Sequence, residues 1–207
     1  MVQKLTHPIA KTLINRMRDK NTDAVQFRSC IAELSKILLL EAFKEIEMET
    51  KSIQTWQGTH DFEFINDKSI MFIPIMRAGM PMLDSLITLF PDAISGFLAM
   101  KRDEMTHKAV LYYDRVPDCE GKTVVLLDPM VATGGSLCDA LDVIKAKGPK
   151  RILSLNLIGA PEGLSVVEER HPDVPVYIAQ IDLHLNDNKF IIPGIGDAGD
   201  RAYNTPE

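Results

Sequence analysis

The chain has 207 residues, 45% hydrophobic and 25% charged, the balance of an ordinary soluble globular protein with length for one full core. Its net charge of −6 leaves no basic footprint for nucleic acid, so an anionic ligand has to be held by local donors and metal. Cys30, Cys119 and Cys138 lack any CxxC pairing and suit reduced thiols in the cytoplasm, the first residues carry no signal-peptide core, and no apolar run reaches the about 18 residues of a membrane span.

In chain order, His7-Pro8 opens a helix through about Met17, and Asn21-Thr22-Asp23 breaks and recaps the chain. A second helix is expected over 24–46, with Phe27, Ile31, Leu34, Leu38 and Ala42 on one face. Residues 50–56 alternate weakly, as a strand would. Ser69-Ile70-Met71-Phe72-Ile73-Pro74-Ile75 reads as a buried strand that ends in Met76-Arg77-Ala78-Gly79, with an apolar helix following over 81–90. Strands are expected over 93–100 and 110–116. The charged stretch between them, from Lys101 and Arg102 to Lys108, reads as part of a flexible hairpin arm over about 101–116, able to fold over a site. Strands at 152–158 and 176–181 flank a short helix over 163–170. Strands alternating with helices predict an α/β fold with a mainly parallel sheet flanked by helices, in one domain over 1–207.

The chemistry concentrates at Thr123-Val124-Val125-Leu126-Leu127-Asp128-Pro129-Met130-Val131-Ala132-Thr133-Gly134-Gly135-Ser136. The apolar, β-branched start is a strand buried on both faces, and Leu137, Ala140, Leu141 and Ile144 fall on one face of a following helix that Gly148-Pro149 stops. A carboxylate at the strand end and a glycine loop opening a helix suit a sugar phosphate: unpaired N–H groups for the phosphate, Asp128 for sugar hydroxyls. Read alone, Thr-Gly-Gly-Ser is equally an ordinary strand–helix turn with Ser136 as its N-cap.

The full string resembles the phosphoribosyl-diphosphate (PRPP) signature of the phosphoribosyltransferases. Most of that family has a second acidic residue where Pro129 stands, and Asp-Pro-Met-Val-Ala-Thr-Gly-Gly-Ser is the form that uracil phosphoribosyltransferases carry. Pro74-Ile75-Met76-Arg77-Ala78-Gly79 resembles that family's diphosphate loop, and Ile-Pro-Gly-Ile-Gly-Asp-Ala-Gly-Asp-Arg, ending at Arg201, resembles its C-terminal hood over the base, here about 182–207. Gly194, Gly196 and Gly199 also spell GxGxxG, but no βαβ unit follows, so a dinucleotide fingerprint is rejected.

The resemblance implies a type I phosphoribosyltransferase fold and the reaction uracil + PRPP to UMP + diphosphate. It implies PRPP contacts from Arg77, Arg102, Asp128, Pro129, Met130, Val131, Ala132, Thr133, Gly134, Gly135, Ser136 and Asp197, and catalytic roles for Asp197, Arg102 and Asp128. Uracil would be read by main chain at Ile191, Gly196, Asp197 and Ala198. Mg²⁺ is expected through PRPP and water with no protein metal site, GTP as a possible activator, and a homodimer or homotetramer, with no nucleic-acid or membrane partner. Two alternatives stay open: a phosphoribosyltransferase for another base, and a PRPP-binding pyrimidine regulator with little or no catalysis, which the acidic balance and the hood disfavour. The five histidines form no HxH or HExxH pattern.

Overall fold

In the computed structural model, residues 1–102 and 109–205 are described. A central sheet runs in the order β1 (Val2–Lys4), β11 (Val176–Ile181), β10 (Arg151–Gly159), β8 (Thr123–Leu127), β4 (Ile70–Met76), β6 (Leu98–Arg102), β7 (Ala109–Asp114). Two short strands join it, β5 (Ile94–Ser95) on β4 and β9 (Met130–Val131) on β10. All its pairings are parallel except β6 with β7. The mainly parallel sheet flanked by helices is the architecture expected from the alternation of strands and helices.

Strand residues of alternating parity feed two cores. On one face Ile70, Phe72, Val125, Leu127, Leu153 and Leu155 pack with α1 (Pro8–Arg18), α2 (Ala24–Ala42) and α3 (Met80–Leu86). On the other, Met71, Ile73, Val124 and Leu126 pack with α4 (Gly135–Lys145) and α5 (Pro161–Arg170). Burial on both faces is why β4 and β8 read as unbroken apolar runs. The five α2 residues expected on one face are all buried, and Asp23 caps the helix by accepting from the Gln26 N–H at 2.8 Å.

Several boundaries differ from the periodicity. α2 ends at Ala42, four residues before the expected 46, and α3 ends at Leu86 rather than 90. Just beyond these ends Phe43 and Phe90 meet edge to face at 5.8 Å, with Phe72 6.1 Å from Phe90. The strand expected over 93–100 is two pieces, Ile94–Ser95 and Leu98–Arg102, and between them the Gly96 N–H donates to the Phe72 carbonyl at 3.0 Å. β2 (Met48–Thr55) pairs with β3 (Gly58–Ile65), an exposed strand not expected above, and the edge strand β1 was also missed.

Candidate active site

β4 and β8 are neighbours, with Pro74 opposite Leu127, yet the chain reaches β8 only after building β6 and β7 on the far side of β4. The order therefore reverses between them, and their carboxyl ends open a crevice of the kind in which α/β sheets bind ligands. Arg77 follows β4 and Asp128 follows β8 at this edge. The two loops touch: a Cβ on Gly79 would lie 2.5 Å from the Leu127 carbonyl oxygen, so only glycine lets the 77–79 turn cross the end of β8.

Asp128 is fixed through its backbone. Its N–H donates to Leu155 at 3.2 Å and its carbonyl accepts from the buried Asn156 amide at 2.6 Å, while Asn156 Oδ1 accepts from the Ser154 hydroxyl at 2.8 Å. Neither Ser154 nor Asn156 was singled out in the sequence. Their signal was there, two polar residues two apart in an otherwise apolar strand, both fully buried. The Asp128 carboxyl is half-buried, with the Met130 N–H 3.4 Å from Oδ1; burial pushes it up to about 7 against that bond's opposite pull.

After Asp128 the segment divides. Pro129 and Val131 are buried and tie the loop to β10: the Pro129 carbonyl accepts from Leu157 and Ile158, the Val131 carbonyl from Ala160. Met130, Ala132, Thr133, Gly135 and Ser136 keep partial exposure. The cap of α4 is Gly134, not Ser136; its φ of 79° is left-handed, and a Cβ there would strike the Gly163 carbonyl of α5. Gly134 thus serves helix packing, whereas the nearest atom to a Cβ on Gly135 is Thr133 Oγ1 at 3.9 Å. The first turn of α4 leaves N–H groups without helical partners beside that open side, as at any helix start, which suits an anion.

Arg77, on the exposed side of a turn entered through a cis Met76–Arg77 bond, reaches the C-terminal segment. Its guanidinium donates to Asp200 Oδ1 at 2.9 Å and to the Thr205 hydroxyl at 3.3 Å. The Thr205 hydroxyl and Arg77 hold the Asp200 carboxyl below its usual range. Asp200 belongs to α6 (Ala198–Tyr203), whose cap is Asp197, accepting from the Asp200 N–H at 2.9 Å. Before it, β12 (His184–Leu185) pairs with β13 (Ile191–Ile192), and the chain passes a cis Ile192–Pro193 bond. Ile191 and Ala198 are buried, Gly196 and Asp197 exposed. The N–H groups of Gly196, Asp197 and Ala198 have no partner among the described residues.

Three stretches far apart in sequence, around Arg77, Asp128–Ser136 and 191–200, are thereby joined through direct contacts of the first with each of the others. Arg102 ends β6 as backbone; its side chain, and residues 103–108 of the expected arm, lie outside the described residues. Tyr112 and Tyr113 on the returning strand are exposed. Among the described residues no three His, Cys, Asp or Glu converge on a metal position. No helix among them is long and apolar enough to cross a membrane.

Comparison with known proteins agrees with this geometry. A curated relative from Aquifex aeolicus (strain VF5), named uracil phosphoribosyltransferase, is 42% identical over 203 residues, 98% of either chain. Another of that name, from Campylobacter fetus subsp. fetus (strain 82-40), is 43% identical over 205 residues, 99% of this chain and 98% of that one. The solved structure of the AQ2163 protein from Aquifex aeolicus superposes with a TM-score of 0.95 at 42% identity, over 98% of both chains. The family model described as uracil phosphoribosyltransferase matches residues 4–205, and this chain belongs to that family.

Proposed function

We propose that the protein transfers the phosphoribosyl group of PRPP to uracil, giving UMP and diphosphate in pyrimidine salvage. The observation that carries this reading is the crevice at the reversal of strand order, where a sugar-binding carboxylate, an anion cradle and an arginine come from separate stretches of chain. The 5′-phosphate would lie against the N–H groups and hydroxyls of 132–136, and Asp128 would accept from the ribose hydroxyls. Arg77 and Arg102 would hold the diphosphate, whose oxygens match the planar guanidinium fork.

The reaction needs no covalent nucleophile. As the bond from ribose C1 to the diphosphate lengthens, the sugar gains oxocarbenium character, and a uracil nitrogen attacks the opposite face, releasing its proton to water as the diphosphate departs. Catalysis is then positioning and charge stabilisation. Asp128 contributes by fixing the ribose, Arg77 and Arg102 by stabilising the leaving group, and Asp197 by facing both base and PRPP. Uracil offers two carbonyls and two N–H groups, a pattern that the main chain of 191 and 196–198 can read. Mg²⁺ would be carried by PRPP oxygens and water, and would supply neutralisation of the diphosphate charge beside Arg77 and Arg102.

The same reading takes 1–207 as one catalytic domain, 182–207 as a hood and 101–116 as an arm closing over PRPP, in a cytoplasmic homodimer or homotetramer. Association is supported by the β2–β3 hairpin, which stands apart from the main sheet and exposes Ile53, Trp56, Phe62 and Phe64. A two-stranded hairpin is at best marginal alone. GTP activation rests on the family resemblance. The test is diphosphate release from PRPP and Mg²⁺ with uracil, cytosine, hypoxanthine or adenine, with and without GTP. Release with uracil alone is expected; release with another base, or with none while PRPP still binds, overturns the reading.

A further inference from the structure

The loop between β13 and α6 splits into clamped and open halves. Gly194 has both backbone groups taken by one buried ion pair. Its N–H donates to Asp182 Oδ2 at 2.9 Å, and its carbonyl accepts from Arg18 Nη1 at 2.7 Å. Arg18 and Asp182 are themselves joined twice, at 2.8 and 2.5 Å, with the Asp182 side chain only 2% exposed. Arg18 and the Gly194 N–H hold the Asp182 carboxyl below its usual range although burial pulls the other way. The next carbonyl, Ile195, accepts from Arg201 Nη1 at 2.8 Å. Arg201 also donates to the carbonyls of Met17, Asp19 (2.7 Å) and Thr22, and lies over the Phe27 ring at 4.4 Å. Gly196 and Asp197, which follow, are exposed, and the N–H groups from Ile195 to Gly199 have no partner among the described residues.

We propose that Arg18, Asp182 and Arg201 are positioning residues for base recognition: anchored on the end of α1 and the turn into α2, they fix Gly194 and Ile195 so that the N–H groups of 196–198 point at the pyrimidine. The inference rests on the uracil-transferring reading above. The physical case is that a reader made of main chain cannot choose its own direction by side-chain rotation. Its aim has to be imposed by bonds to neighbouring peptide groups, and the Gly194 N–H, the Gly194 carbonyl and the Ile195 carbonyl are each held by a charged partner. Arginine suits the task because its fork serves several acceptors at once; lysine has a single point charge on a flexible stem.

The test compares steady-state kinetics of the full-length wild type with Arg201→Lys and Arg18→Lys, varying uracil and PRPP separately, with a thermal melt on each protein. Arg18→Lys keeps a cation beside Asp182, and Arg201→Lys touches no carboxylate, so a misfolding failure of one leaves the other. Expected is a KM for uracil at least tenfold higher in each variant, with the KM for PRPP within twofold and a folded melt. A folded variant with unchanged uracil KM, or with both KM values raised equally, overturns the positioning role. Wild type that turns over no uracil overturns the parent reading and this one with it, whereas active wild type beside unaffected variants sinks the positioning role alone.

Discussion

Replacing Asp128 with asparagine should make the folded protein more stable at alkaline pH while impairing its chemistry. Asparagine keeps the shape and an oxygen for the Met130 N–H, 3.4 Å from Oδ1, and removes only the ability to ionise. The carboxyl is pushed from 3.8 to about 7 by burial. Between these values the folded chain holds a proton that the unfolded chain has released, so stability falls as pH rises. The penalty is absent below 3.8, about a third developed at pH 5 and complete above 7. About three pH units at 1.4 kcal/mol each sets an upper bound near ~4 kcal/mol. Because the group keeps partial exposure, about half of that, ~2 kcal/mol, is the gain expected for Asp128→Asn at pH 8. His171 acts oppositely: burial lowers its pKa, so its contribution is lost as pH falls below about 6.5. Both proteins carry it, and it cancels in the difference. Urea unfolding of wild type and variant at pH 5 and pH 8, with kinetics in PRPP, makes the measurement. A gain no larger at pH 8 than at pH 5 refutes the protonation argument, and PRPP kinetics within twofold of normal refute the ribose role; a loss of at least about tenfold is expected.

The two adjacent glycines of the cradle should separate packing from binding. Gly134→Ala adds a left-handed alanine and a clash with the Gly163 carbonyl, and should cost about 2–4 kcal/mol in denaturant unfolding. Gly135→Ala has open space, so stability should stay within about 0.5 kcal/mol while the KM for PRPP rises severalfold; an unchanged KM would deny that this side faces the phosphate. Asp200→Asn should weaken the hold on Arg77 at little cost to stability, because Arg77 is 56% exposed, yet raise the PRPP KM about three- to tenfold. Kinetics equal to wild type would show that Arg77 needs no help from Asp200.

Legibility followed the length scale of the interactions. Leu137, Ala140, Leu141 and Ile144 fall on one face by local spacing alone, and all are buried. Strand β3 was missed although Asp61-Phe62-Glu63-Phe64 alternates polar and apolar residues; the run is short, Phe62 and Phe64 stay exposed, and its partner β2 lies directly opposite. Nor does any window of sequence contain the contact between Phe43 and Phe90, which lie just beyond the ends of α2 and α3.

The amino-acid order by itself determined the class of fold and supplied the stretches from which the proposed site is drawn, since buried strands, helix faces and the Asp128–Ser136 and 191–201 strings are all contiguous. Tertiary structure alone decided which charges hold those stretches in place. Arg18 meets Asp182 across 164 residues of chain, Arg77 meets Asp200 across 123, and Arg201 meets Met17 across 184. Such pairings leave no local periodicity, because a charged residue on a helix end or a turn reads as solvated until the sheet brings its partner alongside.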